Sequence, residues 1–213
     1  YGYTGIFVTD HNWGGNTCVD RGLPWEAWVD QFCLGYEHAK AEGDQIGLDV
    51  FFGYEAGYDG TEFLLYGIDK EWMKAHPELQ SVSVEEQYGL VHEAGGLVMH
   101  AHPYREEAYI PEVRLFPDFV DGVEGINAAH LWHSAALRDK TVYDKRAVAY
   151  GRAHGFPMSA GSDIHSTNLF GGGMAFRRRL LSAADYVQAV TGGEDYVMTD
   201  GKVWYDKTGK VIK

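Results

Sequence analysis

Five short segments carry imidazole and carboxyl groups in a pattern suited to divalent metal chemistry. They are "VTDH" at 8–11, "GYE" at 53–55, "HAHP" at 100–103, "GIN" at 125–127 and "GSDIH" at 161–165. Imidazole nitrogen and carboxylate oxygen are ligands for zinc, manganese or iron, and one carboxylate can bridge two ions. His11, Glu55, His100, His102, Asp163 and His165 are therefore the candidates. Arg105, in "HPYR", adds a guanidinium able to grip an anionic oxygen with two donors, the competing reading being a surface ion pair with Glu106 or Glu107. Covalent catalysis is not indicated. Cys18 and Cys33 have no convincing partner base, and Ser162 sits in no nucleophile elbow.

Residues this far apart can share a pocket only if the fold gathers them. Each segment closes an apolar run that reads as a strand, among them "GIFVT", "GLDVFFGYE", "LVMHA", "DGVEGIN" and "FPMSAG". Helical patterns lie between them. Pro24 opens one, with Trp25, Trp28, Val29, Phe32, Cys33 and Tyr36 at three- and four-residue steps towards Gly43. Ser83 and Glu86 form a capping-box pattern, and Ser182 with Asp185 caps a last helix through Val190. Strands alternating with helices argue for an α/β fold with a parallel sheet, closed or nearly closed into a barrel, and the strand carboxyl ends then share one face. "FLLYGI" reads as a further strand or a continuation of the one before it. One domain is expected over 1–191, with residues 192–213 forming a β-hairpin extension that turns over Lys207–Gly209.

The other histidines look structural. His38, His92 and His154 fall in helices and His76 in a loop, all at the surface. His130 and His133 have no accompanying carboxylate nearby in sequence, so a packing or substrate-wall role is expected. Arg177–Arg179 reads as a solvated charge run, and "FGGG" (170–173) as a flexible loop at the site. A net charge of −13 argues against a partner that is long nucleic acid, since that needs a basic face. No apolar run reaches membrane-spanning length. Two irregularly placed cysteines suggest reduced thiols and a cytoplasmic location.

The five motifs, in this order and rough spacing, resemble the PHP (polymerase and histidinol phosphatase) family from about Gly5 to Ser182. The resemblance implies a distorted, seven-stranded, TIM-like βα barrel holding two or three divalent ions (Mn, Zn or Fe), and hydrolysis of phosphoesters. It implies metal ligation by His11, Glu55, His102, Asp163 and His165, with Glu55 bridging and Asp10 supporting a ligand from behind. Arg105, Asn127 and His100 would contact substrate, and Asp163 and Arg105 would serve catalysis on a small phosphorylated compound. The family pattern begins with an H-x-H motif on an earlier strand. "VTDH" is accordingly expected to close a second strand, with the first βα unit missing from this chain. Many members also carry a histidine before the apolar strand that follows the Glu motif. Phe63 is expected in that place, with His100 as a substitute ligand. A non-catalytic binding module with a degenerate metal site is the alternative. An amidohydrolase fits less well, because no lysine stands at any of the five strand ends.

Overall fold

The computed structural model describes residues 2–134, 139–167 and 171–212. Its strands are β1 Gly5–Val8, β2 Asp49–Tyr58, β3 Thr61–Tyr66, β4 Leu97–Ala101, β5 Gly122–Asn127, β6 Met158–Gly161, β7 Gly173–Phe176, β8 Tyr196–Thr199 and β9 Trp204–Asp206. Its helices are α1 Trp25–Phe32, α2 Leu34–Ile46, α3 Lys70–Ala75, α4 Val84–Glu93, α5 Ala128–Trp132, α6 Thr141–His154 and α7 Ala183–Thr191. They fall into two compact units. One comprises Gly2–Val98 with Leu180–Ala189, the other Met99–Arg179 with the C-terminal segment from Val190.

In the first unit β1 runs parallel to β2, from Gly5 opposite Asp49 to Val8 opposite Phe52. The expected parallel order then breaks, because β2 and β3 pair antiparallel with Tyr58 opposite Thr61. The cause is local. Asp59 and Gly60 both have positive φ (49° and 87°), the backbone of a two-residue hairpin turn whose twist matches the flanking strands. The Pro24 helix bends at Cys33 (ψ −7°) into α1 and α2, and Gly47 (φ 76°) stops α2. Trp28 stacks on Trp25 and Phe32 and is fully buried. Cys33 is buried beside them, and burial pushes its thiol up to about 12, so no nucleophilic thiolate forms there. Ser83 and Glu86 make both hydrogen bonds of the expected capping box. Tyr186 of α7 packs on Phe7 and Tyr66.

In the second unit the parallel order holds: β4 pairs with β5, and β5 with β6 across a bulge between Glu124 and Ile126. Val123, Ile126, Val148, Tyr150 and Met158 form its core with Tyr196 and Met198. A separate antiparallel sheet, β7–β8–β9, is anchored where the Tyr196 hydroxyl donates to the Met158 carbonyl (2.7 Å). After β9 the chain turns back at 207–209, with Tyr205 bridging Val211. Ser182 and Asp185 cap α7 as expected, the Asp185 N–H donating to Ser182 Oγ at 3.0 Å. Among the described residues no helix is long and apolar enough to cross a membrane.

Candidate metal centre

In the first unit, the end of β1 is stitched to β2. The Glu55 N–H donates to the Asp10 carbonyl (3.0 Å), and the Asn12 N–H to the Glu55 carbonyl (2.8 Å). This pairs His11 with Glu55 in parallel register. Side chains alternate along a strand, so Glu55 and Gly57 share a face of β2, and Glu62 lies opposite Gly57 on β3. Glu62 therefore joins the face that carries Glu55. His11 Nδ1 lies 3.5 Å from Glu55 Oε2 and 3.5 Å from Glu62 Oε1. Ligand atoms of the three all lie within 4.8 Å of one another.

Two carboxylates, 8% and 11% exposed, repel one another strongly at this separation, and a shared cation relieves that. One imidazole with two carboxylate oxygens is a donor set for zinc, manganese or iron. The residues present fit a divalent ion. Phe63, expected to stand in place of a family histidine, is fully buried in the core with its ring edge-on to Tyr58. Glu62, its neighbour on β3, brings a carboxylate to the His11–Glu55 pair. Sequence reading missed it, although "DGTE" held the signal: a two-residue turn at Asp59–Gly60 fixes which residues of β3 share the Glu55 face. Asp10 contributes its carbonyl to the stitching, and its carboxylate lies over Gly35 on α2. Desolvation pushes that carboxyl up, against the pull of His11.

The second unit gathers another group. His100 and His102 lie at the end of β4, 1% and 7% exposed. Burial, with the nearby His102, holds His100 down to about 3, so its ring is neutral. Glu124 of β5 accepts from the His102 N–H (3.0 Å) and from Asn127 Nδ2 (3.1 Å). Asn127 Nδ2 also donates to Asp163 Oδ2 (3.1 Å). Arg105 Nη1 lies 3.7 Å from the same oxygen, and His165 Nδ1 lies 3.2 Å from Asp163 Oδ1. Asp163 occupies the left-handed region (φ 48°), as does His102 (φ 27°), strain of the kind that collects at functional sites. Burial would raise the Asp163 carboxyl, but His102, Asn127, Arg105 and His165 together outweigh it and hold it below the usual range. His165 is the exposed member of this group, its side chain 61% accessible.

Arg105 thus reaches Asp163, while Glu106 pairs with Arg146 and Glu107 with Lys140. His130 has the carboxylate partner that its sequence surroundings did not show. Its Nδ1 lies 2.7 Å from Asp144 Oδ1, contributed by α6, and that oxygen also accepts from the Asn127 N–H (3.3 Å). Burial pushes the Asp144 carboxyl up, with His130 and the Asn127 N–H pulling it back. Glu124 and Asp144 went unassigned in the sequence because their partners come from other elements. Gly172 lies against the β6 end, and a Cβ there would fall 2.0 Å from the Gly161 carbonyl. Phe170 of the glycine loop lies outside the described residues. Arg178 in the basic run makes a two-pronged ion pair with Glu194.

No protein-family model and no curated protein sequence matches this chain. Solved structures do. One is a two-domain protein from Bacteroides vulgatus containing a predicted PHP-like metal-dependent phosphoesterase, at 13% identity and a TM-score of 0.52. The match covers 94% of this chain, which spans about half (51%) of that one. Another is PsfC from Pseudomonas syringae, at 16% identity and a TM-score of 0.59, covering 86% of this chain and 73% of that one. The chain has a PHP-like fold. At these identities the likeness is one of fold. Within this fold His11 and Glu55 meet, and Glu62 joins them.

Proposed function

We propose that this protein is a metal-dependent phosphoesterase acting on a small phosphomonoester, such as a nucleotide or sugar phosphate. The observation that carries the reading is the meeting of His11, Glu55 and Glu62 within 4.8 Å on one strand face. In this reading those three side chains hold one divalent ion, and His102, Asp163 and His165 are ligands for another. Bound divalent ions supply positive charge for the phosphoryl oxygens and lower the pKa of water to about 7.

The chain's own groups do the rest. Arg105 offers two parallel N–H donors to a phosphoryl oxygen and stabilises the charge that grows on it. Asn127 holds Asp163 and Glu124 in place through one amide nitrogen. Water adds to phosphorus, the ester P–O bond breaks, and the leaving oxygen takes up a proton. Asp163 sits among two imidazoles, an amide and a guanidinium, a setting that keeps it anionic and suits it to a cation rather than to proton donation.

The test is to assay the protein, loaded with manganese and stripped of it, against a panel of phosphomonoesters and phosphodiesters. Metal-dependent release of phosphate from monoesters is expected. Stoichiometric metal binding with no turnover of any ester would overturn the catalytic reading and favour a binding module. Turnover of diesters alone would overturn the substrate class.

A further inference from the structure

Beside the His11–Glu55–Glu62 group, the first unit carries a cleft of about 220 Å³, lined by Asn12, Gly14, Tyr58, Asp59, Ser81 and Val82 among others. Asn12 directly follows His11 and is 97% buried, being 3% exposed. Its orientation is fixed. The Gly14 N–H can only donate, and it does so to Asn12 Oδ1 at 3.2 Å. The other half of the amide, Nδ2, has no hydrogen-bond partner among the described residues, and Asn12 lines the cleft. The nitrogen itself is not sealed off, so water or a ligand in the cleft takes up its donors.

The chemistry of the lining narrows the ligand. No lysine, arginine or histidine lines the cleft, so it does not suit a phosphate. Asp59, Gln80 and Ser81 line it together with Asn12, residue types that bring both acceptors and donors. Hydroxyl groups, each donor and acceptor, satisfy both kinds. At ~30 Å³ per water, the volume is that of about seven waters, and it is below the ~300 Å³ at which sites begin to enclose drug-sized molecules. One small ring or short polyol fits. The Tyr58 ring already meets the Phe63 ring at 75°, and no second aromatic side chain lines the cleft to sandwich a base.

We infer that this cleft is a subsite for an uncharged, polyhydroxylated group, the sugar or polyol portion of the substrate, with Asn12 Nδ2 donating to one of its oxygens. The inference deepens the phosphoesterase reading and rests on it for its role, but the binding itself needs no turnover. The experiment records amide chemical shifts of the full chain while D-ribose, D-glucose or adenine is added, with and without manganese. Saturable shifts at Gly14, Gly57, Tyr58 and Ser81 are expected with a sugar. Asn12→Asp keeps the acceptor for Gly14 and removes the donor, and should weaken sugar binding at least tenfold. Ser81→Trp, which fills the cleft from an exposed lining position, should abolish it and guards against misfolding of the first variant.

No saturable shift with either sugar, or equal affinity in both variants, would overturn the subsite, as would a response to adenine alone. The two readings separate in kinetics. If phosphate is released but the preference for ribose 5-phosphate over methyl phosphate, as a ratio of kcat/KM, is unchanged by Asn12→Asp, the subsite fails and the phosphoesterase stands. Sugar binding without turnover of any ester would leave the subsite standing and remove the phosphoesterase.

Discussion

The two acidic groups of this protein manage charge in opposite ways. In the first unit His11 Nδ1 lies 3.5 Å from Glu55 Oε2 and 3.5 Å from Glu62 Oε1, beyond good hydrogen-bonding distance. In the second, Glu124 and Asp163 share the Asn127 amide, and Asp163 has Arg105, His102 and His165 around it. The second group sets a guanidinium and an amide against its carboxylates, whereas the first sets two carboxylates beside one imidazole, a donor set that suits a divalent cation. The difference teaches that ligand-type residues at strand ends are not equivalent. What matters is which groups the fold places against them.

The strongest way to break this contrast is to make the second group resemble the first. Asn127→Asp removes the bridging donor and adds a third buried carboxylate, and should cost ~3–5 kcal/mol of stability. Urea denaturation checks it, and added manganese should restore part of the loss if the contrast is right. Next comes the first group itself. Glu55→Ala should weaken manganese binding by more than the ~10–100-fold typical of supporting residues, as read by calorimetry.

Glu62→Gln sharpens the comparison because its effects have opposite signs. It should weaken metal binding, yet stabilise the metal-free protein by roughly 1 kcal/mol, raising Tm by ~2–4 °C. An unchanged or lower Tm in the stripped protein would show that the two carboxylates do not repel. A smaller effect concerns acid. The Asp163 carboxyl is held below its ordinary value, so it contributes stability that is complete above its unfolded pKa of ~3.9 and is lost as pH falls towards the folded one. Asp163→Asn should therefore flatten the acid limb of the stability–pH curve. Asp144→Asn, which leaves an oxygen to accept from His130 and the Asn127 N–H, should cost only ~1 kcal/mol.

Features written in neighbouring residues were legible in the sequence. The Ser83–Glu86 capping box, the Ser182–Asp185 cap and the places of His11, His102 and Asn127 at or just past strand ends follow from local pattern, whereas Glu55, expected to end its strand, lies inside β2, which runs on to Tyr58. Parallel pairing follows where long connections separate the strands, at β1–β2, β4–β5 and β5–β6, whereas the sequence left open whether "FLLYGI" was a new strand or a continuation, and it pairs antiparallel across a two-residue turn. The same short connection concealed Glu62, because a shift of one residue in a strand exchanges its faces. The partner of His130 went unseen for another reason. Its carboxylate, Asp144, comes from α6 and meets it only through tertiary packing, which linear spacing does not encode.

The Asp59–Gly60 turn acts on β3 as a reading frame acts on codons. Insert one residue there, with the two-residue bend kept, and Thr61 would take the place of Glu62 opposite Gly57, while Glu62 would be pressed into the hydrocarbon interior opposite Ala56. The meeting of His11, Glu55 and Glu62 thus hangs on the length of a bend that supplies none of the three.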